Sequence, residues 1–328
     1  MKKSTLPIIA VSAAAVHCGV SYLTFHEIFD RSANIPHWIN EFDKWKAKQK
    51  AKKQNPSAPA KKDERSEWMH KQTFEEFSLV NERGQRLKAF YLPADEKSDK
   101  FVVCAHGYRN QGKGEFRFIT KFYHESGFNV LLVDHVAEGD SEGEMISFGH
   151  HESRDMTLWL DFLIDKFGAD IKIFLHGISM GSATVILLAG NEKLPDNVKF
   201  MIADCGYSSL HALFEGVLKV PVAVSKPIMK SIDVIHRMKA GFSYYDVNPI
   251  DAVDKIKIPV LFVHGIADGF IPYTMTQEMY DACQSEKEIL LVEHAGHTGS
   301  YRKNSEGYEK KILEFCDKYM KDSVAVGE

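Results

Sequence analysis

Residues Gly177-Ile178-Ser179-Met180-Gly181 stand between an apolar run, Ile171 to Leu175, and the segment Ser182 to Leu188, which reads as a helix. A strand that turns this sharply into a helix needs small residues where the two crowd together. A serine at the apex of such a turn sits in strained backbone geometry that lifts its hydroxyl clear of the sheet, the position of a nucleophile. So short a pattern also arises by chance, and the segments around it must decide.

Two later segments supply what a serine nucleophile requires. Val260 to Gly265 reads as a buried strand with Asp268 in the loop after it, and Glu288 to Val292 reads as another, followed by Glu293-His294-Ala295-Gly296-His297. The chain order is Ser179, Asp268, His297, each beyond the carboxyl end of an expected strand. A serine hydroxyl is a poor nucleophile at neutral pH, so an imidazole must take its proton. A carboxylate must then fix the tautomer of that imidazole and stabilise its charged form.

With these residues in view, the chain resembles the α/β-hydrolases of the serine esterase, lipase and S33-type aminopeptidase group, over about residues 74 to 320. The resemblance extends to His106-Gly107-Tyr108 after the strand Phe101 to Ala105, to Asp134 followed by Gly139, Ser141 and Gly143, and to Asn248-Pro249-Ile250-Asp251 leading into Ile256 to Val260. In that group the first of these segments carries an oxyanion-hole amide and the last returns the chain from a cap to the core. The resemblance implies backbone N–H donors at Tyr108 and Met180, each worth roughly 3 kcal/mol in the transition state. It also implies that the Tyr108 side chain lines the acyl pocket.

Strands are expected near Phe74 to Val80, Leu87 to Tyr91, Phe101 to Ala105, Val130 to Asp134, Ile171 to Leu175, Phe200 to Asp204, Val260 to Gly265 and Glu288 to Val292. The first two form a hairpin over Asn81 to Gly84. Helices are expected at Phe116 to Ser126, Glu152 to Phe167, Ser179 to Gly190, Thr274 to Cys283 and Ser305 to Lys321. The alternation predicts an α/β protein with a mostly parallel eight-stranded sheet flanked by helices, with ligands bound beyond the carboxyl ends of the strands. The interval from about Gly206 to about Asn248 is too apolar for a loop and is expected to form a small helical cap after the sixth strand. Its Phe214 is a candidate for the substrate pocket.

The expected domains are residues 1–30, a polar basic linker over 31–70, and a hydrolase domain over 71–328. Lys2 and Lys3 precede a mostly apolar stretch from Leu6 to Phe25, long enough to cross a hydrocarbon core and oriented by its flanking charges with the amino end inside. The leading expectation is an uncleaved anchor at the cell membrane with an extracytoplasmic hydrolase. A cleaved signal, giving a secreted protein, and a buried helix in a soluble cytoplasmic one stay open. The cationic stretch Lys44 through Lys62 reads as a solvated tether.

A net charge of −4 gives no reason to expect nucleic acid, and the five cysteines show neither zinc spacing nor a disulfide framework. Glu138, Asp140, Glu142 and Gly143 begin like a calcium loop, but the twelfth place is Gly149 instead of glutamate. No metal or cofactor is expected. The roles are Ser179 as nucleophile, His297 as general base and acid, and Asp268 as its orienting carboxylate. Asp204 and His294 are rivals for the last two roles, and His106, His176 and His264 are taken as structural or supporting groups. The expected reaction is carboxylic ester hydrolysis through an acyl-enzyme. An aminopeptidase or acyltransferase would use the same groups, and a catalytically silent binding module is the reading from another class.

Overall fold

Eight short segments, most of them buried, form the strands β1 Glu75–Val80, β2 Arg86–Leu92, β3 Lys100–Ala105, β4 Asn129–Asp134, β5 Lys172–Ile178, β6 Val198–Asp204, β7 Val260–Gly265 and β8 Lys287–Val292. The computed structural model describes residues 5–33, 63–191, 194–218 and 222–321. The strands make one sheet in the order β1-β2-β4-β3-β5-β6-β7-β8. β1 and β2 pair antiparallel, as do β2 and β4, and every later pairing is parallel. The central strands read as unbroken apolar runs because both of their faces are covered.

The longer helices are α1 Thr5–Phe29, α2 His150–Phe167, α3 Met180–Ala189, α4 Leu210–Leu218, α5 Val222–Ala240, α6 Tyr273–Ala282 and α7 Ser305–Tyr319. Successive strand residues point to opposite faces, which sorts the core into two layers. Val103, Leu175 and Phe262 pack with Trp159, Leu160 and Leu163 of α2 and Val185 of α3. Their chain neighbours Val102, Phe174 and Leu261 pack with Tyr308, Ile312 and Phe315 of α7. The helix expected over Phe116 to Ser126 is instead broken into Gly112–Glu115, a 3-10 turn Phe116–Phe118 and Thr120–Glu125. Gly112 and Gly114, both poor helix formers, start it early and loosely.

The described chain forms two compact units. The larger carries the sheet, and the smaller comprises α1, Glu144–Ser147 and Ser209–Val247, which includes α4 and α5. The basic stretch Lys44 through Lys62 lies outside the described residues, as do Lys2 and Lys3.

The membrane span expected over Leu6 to Phe25 finds no support in the fold. Among the described residues no helix is long and apolar enough to cross a membrane. The carboxyl-terminal part of α1 is instead built into the smaller unit against α5. Ser21, Phe25, Ile28 and Phe29 form a buried stripe at helical spacing. The Phe29 ring centroid lies 4.5 Å from that of His236 on α5, and His17 Nε2 lies 2.8 Å from Ser231 Oγ. Backbone bonds from Arg31 N–H to Glu144 O and from Ile146 N–H to Phe29 O fix the end of the helix, at 2.8 and 2.9 Å.

Candidate active site

β5 ends at Ile178 and α3 begins at Met180, so Ser179 alone makes the turn, with φ 58° and ψ −115°. This left-handed conformation is strained for a side-chain-bearing residue and persists because its surroundings hold it. The Ser179 N–H donates to Asp204 O at 2.8 Å, tying the turn to the end of β6. The flanking glycines let helix and strands meet. A β-carbon on Gly177 would stand 2.2 Å from Gly181 O, and one on Gly181 would stand 1.9 Å from Ala105 O.

The three residues expected to act together are brought together. Ser179 Oγ lies 2.9 Å from His297 Nε2, and His297 Nδ1 lies 2.7 Å from Asp268 Oδ2. Asp268 can only accept, so Nδ1 carries the proton and Nε2 is free to accept the serine proton. The His297 ring sits edge-on to Phe270 with centroids 5.0 Å apart. Asp268 Oδ1 takes the N–H groups of Phe270 and Ile271 at 2.8 and 3.0 Å. Burial alone would push this carboxyl up, but His297, His264 and the backbone donors together hold it well below the usual carboxylate range.

Asp204, the rival carboxylate, has other partners. Tyr308 donates to its Oδ2 at 3.0 Å, and Ser300 reaches its Oδ1 at 3.4 Å. Burial raises its carboxyl to about 6. His294, the rival imidazole, is exposed. His176 lies between Tyr123 and Tyr308, 2.6 and 2.9 Å from their hydroxyls, and burial lowers it to about 3. His106 accepts the His135 N–H on Nε2 at 3.0 Å and donates from Nδ1 to Gly107 O at 2.8 Å. Burial lowers it to about 4, so it is a neutral brace for the loop after β3.

That loop passes close to the serine, since a β-carbon on Gly107 would lie 3.2 Å from Ser179 Cβ. Tyr108 follows Gly107, and its ring stacks on Phe148 with centroids 4.9 Å apart. Met180 opens α3 directly after the serine, at the positive end of the helix dipole. The Gly-rich segment after β4 braces the same loop. The Arg109 N–H donates to Glu138, and Asp134 accepts the N–H groups of Gly112 and Asp140, each at 2.8 Å. Phe214 belongs to the smaller unit, where its ring meets Phe29 and Tyr244 at centroid distances of 6.0 and 5.7 Å.

Among the described residues, the side chains close enough to share a cation are Cys205, Asp268 and His297, with ligand atoms within 4.8 Å of one another. Burial pushes the Cys205 thiol well above its ordinary value, which favours its protonated form. The supporting group whose partner the sequence does not reveal is His264. It shares Asp268 with His297 from four residues upstream, at 3.2 Å.

Comparison with known proteins bears on the family and the fold. The model of the prolyl oligopeptidase (peptidase S9) family matches residues 115–323. The Bacillus subtilis protein YqkD is 29% identical over 248 residues, 75% of this chain and 80% of that protein. Alpha/beta hydrolase domain-containing protein 17C of Xenopus tropicalis is 24% identical, over 71% of this chain and 69% of its own length. Among solved structures, the Pyrococcus furiosus esterase Pf2001 aligns with a TM-score of 0.62 and 20% identity, covering 81% of this chain and 97% of that one. The Pyrococcus horikoshii acylaminoacyl peptidase gives 0.60 at 16% identity, covering 81% of this chain and 45% of that one. These two structures share the α/β-hydrolase fold with this chain.

Proposed function

As the chain belongs to the prolyl oligopeptidase family, within the serine hydrolases of the α/β-hydrolase superfamily, we propose that it cleaves carboxylic esters through a Ser179-His297-Asp268 triad. The observation that carries this reading is the unbroken run of hydrogen bonds from Ser179 through His297 to Asp268, with the serine presented on a strained turn.

In this mechanism Ser179 Oγ attacks the acyl carbonyl while His297 Nε2 takes its proton. Asp268 holds the imidazole in the tautomer that makes Nε2 the base and stabilises the imidazolium that forms. The oxyanion of the tetrahedral intermediate accepts from the N–H groups of Met180 and Tyr108. The carbon–oxygen bond to the alcohol then breaks, and His297 returns the proton to the departing oxygen. Water, deprotonated by His297, clears the acyl-enzyme in the reverse sequence. Tyr108, stacked on Phe148, lies beside the reacting carbon and lines the acyl pocket.

A second reading, peptide hydrolysis by the same groups, is favoured by the family's own name and by the acylaminoacyl peptidase among the structural neighbours. A chain-length series of p-nitrophenyl esters, run beside aminoacyl and acylaminoacyl p-nitroanilides with Ser179→Ala as control, separates the two. Ester turnover lost in the variant supports the proposal. Turnover of anilides alone replaces it with the peptidase reading, and turnover unchanged in Ser179→Ala overturns both.

A further inference from the structure

His264 is the last side chain of β7, four residues before Asp268, and both are fully enclosed at the side-chain level. Its Nε2 lies 3.1 Å from Ile271 O and 3.2 Å from Asp268 Oδ2, and its Nδ1 lies 2.7 Å from Thr276 Oγ1. A backbone carbonyl only accepts, so Nε2 carries the proton and Nδ1 is bare. Thr276 must then donate its hydroxyl proton to Nδ1. This arrangement satisfies all three contacts, with the Nε2 proton shared between Ile271 O and the same Asp268 oxygen that receives His297.

The imidazole therefore joins three elements: β7, the loop carrying Asp268 and Ile271, and α6 carrying Thr276, each contact buried. Asp268 Oδ2 is held between two imidazole N–H groups while Oδ1 is held by two backbone N–H groups, leaving the carboxylate little room to rotate. Resting on the serine-hydrolase reading above, we infer that His264, with its tautomer set by Ile271 O and its Nδ1 held by Thr276, is a positioning residue that fixes Asp268 Oδ2 against His297 Nδ1 and thereby sets the rate of the chemical step. It touches neither substrate nor the reacting atoms.

Two substitutions at this site separate positioning from mere support of the fold. Gln carries an N–H donor at about the reach of Nε2, whereas Leu fills similar space without one. In the full-length protein His264→Leu should lower kcat on the order of 10²-fold, the scale of a misplaced catalytic group, with KM within about twofold. His264→Gln should recover most of that loss. Thr276→Val removes the donor that holds Nδ1, loosens the ring and should fall between the two. A readout that needs no substrate is the downfield proton resonance of His297 Nδ1–H. It should shift or broaden in His264→Leu and return in His264→Gln.

Equal impairment of Leu and Gln variants that fold normally would overturn the inference, as would an unchanged kcat and an unmoved resonance in His264→Leu. If the Leu variant fails to fold, Thr276→Val with wild-type kcat and resonance overturns it equally. Failure of the underlying reading looks different. Wild-type protein would then resist a fluorophosphonate at Ser179, while the His297 resonance would still report on what His264 does to Asp268.

Discussion

Replacing Gly181 by Ala tests how tightly the nucleophile turn is built. The new β-carbon would stand 1.9 Å from Ala105 O and 2.8 Å from His106 O. Both are backbone atoms at the end of β3, so no side-chain rotation relieves the clash, and α3 must lift or the strand end must move. Helix propensity argues the other way, by up to about 1 kcal/mol in favour of Ala. Forcing a carbon into a close-packed interior costs about 3 kcal/mol at the upper end of the usual range. The net is about 2 kcal/mol of destabilisation, a fall in Tm of about 4–8 °C for a domain of this size. Activity should fall further than stability alone dictates, because the displaced strand end leads into His106-Gly107-Tyr108. Gly216→Ala in α4, where a β-carbon meets nothing within 4 Å, is the control and should hold or raise Tm. Thermal melts by circular dichroism on both variants decide the matter. A Gly181→Ala protein melting at or above wild type would refute the close approach on which the site's geometry rests.

Two further outcomes follow from buried groups outside the triad. Asp204 titrates at about 6 in the folded protein against 3.8 unfolded, so the folded state holds its proton more tightly. This contribution to stability is present near pH 4 and is lost as pH rises through 6, on the order of 3 kcal/mol in all. Denaturant unfolding of wild type and Asp204→Asn from pH 4 to pH 8 should therefore show the variant gaining relative to wild type as pH rises, and a constant difference would contradict the assignment. Phe29, enclosed by Phe25, His236, Tyr244 and Phe214, should cost about 3–5 kcal/mol when truncated to Ala. Hydrogen exchange should report this as lost protection in α5, and unchanged exchange there would mean that α1 is not part of that unit's core.

All eight strands were legible in the sequence, the central ones because a doubly covered parallel sheet forces apolar runs and the first two as a hairpin around the turn at Asn81 to Gly84. Ser179, Asp268 and His297 were legible for a related reason, since each follows such a run at the end of the sheet where loops converge. The nature of α1 was not. Hydropathy records that Leu6 to Phe25 avoids water but not whether lipid or protein replaces it. For the carboxyl-terminal part of α1 the stripe of Ser21, Phe25, Ile28 and Phe29, at helical spacing, packs on protein. The early, broken helix at Gly112 was signalled by its two glycines. Among the histidines that end strands, position alone did not separate His106 and His176, which brace the core as neutral groups, from His264, which reaches Asp268. The distinction depends on Ile271 and Thr276, whose approach to His264 is set by how the loop folds back on β7.

The most direct test of the central claim is to treat the full-length protein with a fluorophosphonate and locate the adduct by tandem mass spectrometry, with Ser179→Ala and His297→Ala alongside. The account predicts one adduct, on Ser179, absent from Ser179→Ala and formed on the order of 10³-fold more slowly in His297→Ala. A folded wild-type protein that forms no adduct, or forms it at another residue, would contradict it.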